Sequence, residues 1–268
     1  MSTLDGRTLA KKPLVEAIFE LRWELKPTGA PIQGQPAGAI GLVADPHYKL
    51  ALGRFSARAE NRLPHYEPLP AASVPDEMVA YVVQHRFRRA KDKWPLAQLG
   101  PGVLTFNVTD AYDWPLFRTG ARDVVADWRS SYPKDGVPRL TRVLLKYIDA
   151  VHFDYDAGSV FPFLEKLKVR NALATDFLSP SGVTPNPESL VWRSEFKSTS
   201  PLGRLSIQIA TARKDDSPAV VWETTLVSAE ADVPQTEQAL DQWLEEAHKT
   251  TSSIFFAMVE GELHDAFA

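Results

Sequence analysis

The segment from Asp232 to Ala268 constrains the fold most. Leu240, Trp243, Leu244, Ala247, Ile254, Phe255, Met258 and Leu263 recur at helical spacing. At about 100° per residue they share one broad face, while Gln242, Glu245, Glu246, Lys249, Ser253 and Glu260 fall elsewhere. Asp232 reads as an N-cap and Pro234 as a first-turn residue, so the pattern predicts a long amphipathic helix over 232–268. A helix of this kind needs a wide apolar surface to lie on. Three strand candidates precede it: Ser189 to Lys197, Arg204 to Ala212 and Ala219 to Ser228. Lys214-Asp215-Asp216-Ser217-Pro218 is a turn between the last two. A short helix over 159–173 and a polar loop over 179–187 lead into them.

The first part of the chain carries a different rhythm. From Val15 to Leu25, apolar side chains alternate with Glu16, Glu20, Arg22 and Glu24, the period of a half-buried strand. A Pro/Gly/Ala-rich stretch from Pro27 to Gly41 reads as a loop. Asp45-Pro46 resembles an N-cap followed by Pro at the first helical position, with Tyr48, Leu52, Phe55 and Ala59 on one face. Pro64 to Pro75 is a second Pro-rich loop. Strands are expected at Val79 to Arg89 and Val103 to Val108, joined across Ala90 to Gly102. Asp113 caps a helix carrying Phe117, Ala121, Val124, Val125 and Trp128 on one face, and Arg139 to Asp154 forms a long strand.

The reading is therefore α+β, in two antiparallel-sheet-plus-helix halves, 1–154 and 155–268. The first half has the βαββαβ order of a ferredoxin-like unit, and the second is a sheet covered by the long C-terminal helix.

Composition narrows the function classes. The chain of 268 residues is 44% hydrophobic, enough for a large core, and has a formal net charge of -4. That balance gives no global pull toward nucleic acid or anionic membrane. The absence of cysteine excludes disulfides, thiolate metal sites and a cysteine nucleophile. Met1 to Lys12 lack the apolar core of a signal peptide, and no run reaches the ~18–20 apolar residues of a membrane span. A cytoplasmic protein with no membrane attachment is the expectation.

Four segments carry a family resemblance. They are Lys12-Pro13-Leu14-Val15-Glu16-Ala17-Ile18-Phe19-Glu20-Leu21-Arg22; Gln98 to Asn107, followed by Tyr112 and Trp114; Arg142 to Asp149; and Trp243 to His248, followed by Ile254-Phe255. Together they resemble, in the same order and over nearly the whole chain, a sporadically distributed family of bacterial proteins whose function is unknown. This chain departs from it at Lys146-Tyr147-Ile148-Asp149, where the family reads Arg-Tyr-Ile-Asn, which removes a planar bidentate donor. The resemblance implies a coherent fold and no particular reaction. A scattered distribution associates with accessory, mobile genes, defence systems included.

Three sets of residues carry candidate chemistry. His248, at the edge of the terminal helix's apolar face, is a ligand or acid–base group if it lines a cavity with Tyr147, Asp149 and Glu223. The bland alternative is a packed histidine bonded to a strand. Arg86, Arg88, Arg89, Lys91, Lys93 and Trp94 form a basic, aromatic-interleaved stretch that suits phosphates and stacked bases. Its bland counterpart is a solvated hairpin edge. Phe256 lies opposite Leu240 and Met258 on the helix, a position for a subunit contact. Asp149, His152, Asp154 and Asp156 alternate at a strand end, but lack the glycine and terminal glutamate of a calcium loop.

Gly100-Pro101-Gly102 precedes a strand, so it is not a phosphate-cradling loop, and no nucleophile elbow, Walker loop or His-Glu-x-x-His pair is present. No catalytic residue, metal or cofactor is assigned. The leading expectation is a non-catalytic accessory component of a bacterial multiprotein system, a homo-oligomer or bound to a protein partner. Ligand or enzymatic function under the terminal helix, and nucleic-acid binding at 85–94, are the alternatives.

Overall fold

The strict alternation after Pro13 makes a strand, β1 (Leu14–Trp23), whose Ala17, Phe19, Leu21 and Trp23 are buried. The computed structural model describes residues 9–28, 42–109, 111–155, 158–170, 178–184 and 187–268. The loop expected over 27–41 lies mostly outside these residues, as do Asp156 and the end of the helix expected over 159–173. The architecture is α+β, with helices and an antiparallel sheet.

Two compact units divide the chain, and neither follows a cut at residue 154. Unit A holds residues 17–145 and 227–245. Unit B holds the described residues of 1–16, 146–226 and 246–268.

In unit A, β1 is followed by two short strands that pair with each other, β2 (Lys26–Pro27) and β3 (Val43–Ala44). Then come α1 (Tyr48–Ala59), β4 (His65–Pro68), β5 (His85–Arg88), β6 (Leu96–Gly100), β7 (Val103–Val108) and α2 (Trp114–Ser131). The strand β8 (Leu140–His152) begins in this unit. Hydrogen bonding orders the strands β4-β5-β6-β7-β1-β8. The pairs β4–β5, β5–β6, β6–β7 and β1–β7 are antiparallel.

The ferredoxin-like plan is carried by β1, α1, β6, β7, α2 and β8. This corrects the place of its second strand. A strand over 79–89 shrinks to β5, which pairs outward with β4, and the strand beside β7 is β6. Leu96, Ala97 and Leu99 are all buried, so β6 lacks alternation, and Pro95 and Gly100-Pro101-Gly102 punctuate it like a loop. Gly100 admits a close backbone approach: a Cβ there would sit 1.9 Å from the Val82 carbonyl oxygen.

The α2 helix follows its sequence signals. Asp113 accepts from the Leu116 N–H (3.2 Å), and Trp114, Phe117, Ala121, Val124, Val125 and Trp128 are buried. Asp45 does something else than capping. The residue before α1 is His47, without a side-chain cap. The Asp45 carboxylate accepts from Trp23 Nε1 (2.9 Å), the Tyr132 hydroxyl (2.5 Å) and the His47 N–H (2.9 Å). Asp45→Ala would strand two aromatic donors in the core of unit A. We expect a loss of about 2–3 kcal/mol in urea denaturation, with Asp45→Asn recovering part of it.

Unit B contains the rest of β8, then α3 (Phe161–Lys166), β9 (Val191–Thr199), β10 (Leu202–Lys214) and β11 (Ser217–Ala229). The strand order is β8-β11-β10-β9. Asp215 and Asp216 both have positive φ (49° and 59°), the two-residue turn that right-twisted hairpins favour. Val160, Phe163, Leu164, Trp222, Met258 and Val259 are among the residues of its core cluster.

The terminal segment is two helices, not one: α4 (Glu237–Val259) and α5 (Glu262–Phe267), separated at Gly261 with φ 103°. The N-cap expectation at Asp232 is also corrected. Asp232 lies in a 3-10 turn, and Thr236 Oγ1 accepts from the Ala239 N–H (3.2 Å) instead. Residues 237–245 of α4 belong to unit A and its remainder to unit B.

Candidate functional site

Of the residues expected to line a pocket beside the terminal helix, Tyr147 and His248 meet. Alternation along β8 puts Tyr147, Asp149 and Val151 on one face, and Val151 packs on the core of unit B. The Tyr147 hydroxyl and His248 Nδ1 are 2.9 Å apart and share a hydrogen bond. His248 is buried; its burial, with Lys249's charge adding, lowers its pKa to about 3. The imidazole is therefore neutral at pH 7. Asp149 is 3% exposed, and burial pushes its carboxyl up to about 8. It too is mostly neutral at pH 7, the form in which a carboxyl can donate as well as accept.

Glu223 does not join them. On β11, Val220 and Trp222 are in the core, so Glu223 lies on the other face of its strand. There it pairs with Lys146 (2.9 Å), which alternates with Tyr147 in the same way. The four residues thus line opposite faces and do not form one pocket. His248 and Tyr147 form a polar, uncharged pair, and Asp149 stands two residues along the same face of β8.

The basic stretch at 85–94 is also divided. Arg86 and Arg88 both reach Glu67 on the neighbouring β4, at 3.4 and 3.2 Å. Arg88 is buried, and its guanidinium lies 5.2 Å from the centre of the Trp94 ring. Neither is on a hairpin edge, because β5 has strands on both sides. Arg89, Lys91 and Lys93 are exposed, with Asp92 among them. The six residues therefore do not make one continuous cationic surface. Phe256 is half-buried, its ring set edge-on to Phe255 at 5.4 Å. Asp149 is buried while His152 is exposed, so that acidic string is also split. Among the described residues, no group of three or more His, Cys, Asp or Glu is placed to hold a metal ion.

A groove of about 540 Å³ in unit A is lined by Phe19, Arg122, Asp123, Glu237, Gln238 and Asp241, among others. Its Asp241 is held by arginines. Arg118 donates to both oxygens of Asp241 (2.7 and 2.8 Å) and to Glu245 (2.6 Å), and Arg122 approaches Asp241 at 3.7 Å. The Arg118 hydrogen bonds hold the Asp241 carboxyl below the usual carboxylate range. Asp241 and Arg122 are thus paired off, and Asp123 lies 3.8 Å from Arg62.

The strand expected at Ser189 to Lys197 is β9, and the feature its local pattern does not carry is its place in the sheet. Among the described residues it is the terminal strand of the order in unit B, with β10 on one side only. Arg193, Glu195 and Lys197 are exposed on one face; Phe196 is 48% exposed on the other and Val191 is 72% exposed. Arg193 pairs with Glu195 at 2.5 Å. The register with β10 runs without a bulge from Val191 to Thr199. The alternation of Arg193, Glu195 and Lys197 was the available signal; position at the end of a sheet is not written in any local pattern.

Neither protein-family models nor curated proteins give a match to this chain. Among the described residues, no helix is long and apolar enough to cross a membrane.

Proposed function

We propose that this protein is a non-catalytic interaction component, an accessory part of a bacterial multiprotein system, and that β9 is its contact surface. One observation carries the reading: a nine-residue strand, at the sheet's edge among the described residues, that leaves apolar and charged side chains exposed together. Such an edge presents unpaired N–H and C=O groups to an incoming strand, which supplies affinity through the backbone and selectivity through alternate side chains. His248 does not favour the enzymatic alternative, since burial holds it neutral with a pKa of about 3, where a general base needs to exchange protons near working pH. The family resemblance of the opening and closing segments is in keeping with an accessory role.

Glu195→Pro is the direct test. Thr211 donates to the Leu190 carbonyl (3.0 Å), so in this register even-numbered positions turn their backbone toward β10 and odd-numbered ones turn it outward. A proline at 195 removes an outward N–H while sparing the β10 ladder. Native mass spectrometry of the wild-type protein should show an assembly, and the variant should lose it while retaining its circular dichroism spectrum. Equal assembly in both, or none in wild type at any concentration or with its co-purifying proteins, would overturn the reading.

A further inference from the structure

The occupant of the β9 edge follows from the side chains it displays. We propose that a second copy of this chain pairs with it, antiparallel, about a two-fold axis through Ser194. The inference rests on β9 being a contact surface and adds the identity of the partner.

Any symmetric antiparallel pairing sets residue i against its mate reflected through the central residue. The outward-facing backbone belongs to the odd positions, so hydrogen-bonded pairs must join odd to odd, which requires the axis to pass through a residue rather than between two. Charge then chooses among the residues. An axis at Glu195 sets Glu195 against itself and Arg193 against Lys197, like against like in every charged pair. An axis at Ser194 sets Arg193 against Glu195 of the second copy, twice, and Trp192 against Phe196 of the second copy, twice. Arg193 and Glu195 already pair within one chain, at 2.5 Å. Two copies would close these into a square of alternating charge. An axis at Phe196 would match Glu195 with Lys197 but leave Arg193 opposite Thr199 and Trp192 beyond the strand's end.

The aromatic pairing has the right exposure. Trp192 is partly buried against the core of unit B, and Phe196 stands on the same face of β9. A second copy would cover the Phe196 ring, leaving the charges on the opposite face of the ribbon. Edge strands that resist association carry charged side chains, Lys especially, or a proline. This one carries Arg, Glu and Lys in alternation, a pattern that repels at one register and attracts at the next.

Sedimentation velocity over a concentration series tests this with the full chain. Wild type should show a monomer–dimer equilibrium. Arg193→Glu places two glutamates opposite each other at both ends of the pairing and should weaken dimerisation about tenfold. The double variant Arg193→Glu, Glu195→Arg restores the opposite-charge pairs and should recover the wild-type constant. Recovery is specific to the Ser194 axis, because an axis at Phe196 would then set Arg against Lys197. Failure of the double variant to recover overturns the inference. A protein that stays monomeric throughout, yet loses a complex with a different protein on Glu195→Pro, also overturns it while leaving the β9 reading intact. A protein for which Glu195→Pro changes nothing overturns both.

Discussion

Asp149→Asn is expected to tilt the pH dependence of stability by about 1.4 kcal/mol per pH unit. In the folded chain the Asp149 carboxyl is pushed up to about 8, against about 3.9 in the unfolded chain. The folded state therefore holds this proton more tightly. Its contribution is full below about pH 4 and is lost as pH rises toward 8. His248 runs the other way. Its folded value near 3 lies below the unfolded value of about 6.5, so its contribution is full above that and is lost as pH falls.

Between about pH 4 and 6.5 the two slopes oppose each other and cancel. Asp149→Asn keeps the shape and donor of the neutral acid but titrates nowhere in this range. Urea denaturation of the variant should show stability rising with pH from 4 to 6.5 relative to wild type, and a smaller loss between 6.5 and 8. A difference between variant and wild type that does not change with pH would show that Asp149 is ionised in the fold.

Trp128→Ala should be the most damaging single substitution in unit A, costing about 3–5 kcal/mol. Trp128 is buried, with its ring centre 5.0 Å from Trp23 and 5.5 Å from Tyr132. Trp23 and Tyr132 are in turn fixed by the Asp45 carboxylate. Removing the central ring leaves a large cavity and two donors whose packing support is gone. Because the three rings act as one group, the loss from Trp128→Ala combined with Asp45→Ala should be less than the sum of the two. Additive losses in a denaturation double-mutant cycle would show that Asp45 holds the rings independently of Trp128.

The parts of this fold that were legible in sequence are those governed by neighbours along the chain. The Asp113 cap and the spacing from Phe117 to Trp128 specify α2 locally, and the buried face is the one the spacing marks. The alternation of β1 is equally local. β6 was hidden because a strand buried on both faces loses its alternation. Asp45 was misread because its partners, Trp23 and Tyr132, are far away in the chain, while the adjacent proline imitates a cap. At the candidate site, the strand period puts Tyr147 on one face of β8 and the helical period puts His248 at the edge of an apolar face, while the hydrogen bond that joins them links segments far apart in the chain. The strand period failed for Glu223 because Val220 and Val221 offer two adjacent apolar positions, so the sequence does not say which parity of β11 faces the core. The exposed edge of β9 depends on strand order, a relation among distant segments that no local window contains.

The division of α4 between the two units bears on how the chain is made. Unit A is completed by residues 227–245, where Gln235 spans both the amide and the carbonyl of Leu140 and Arg118 grips Asp241 and Glu245. Unit B is completed by residues 246–268, whose Phe267 carbonyl accepts from the Lys11 amide. Both segments are synthesised after the strands they complete. Each unit therefore gains its full set of contacts only after its own stretch of α4 has been synthesised, long after its first strands.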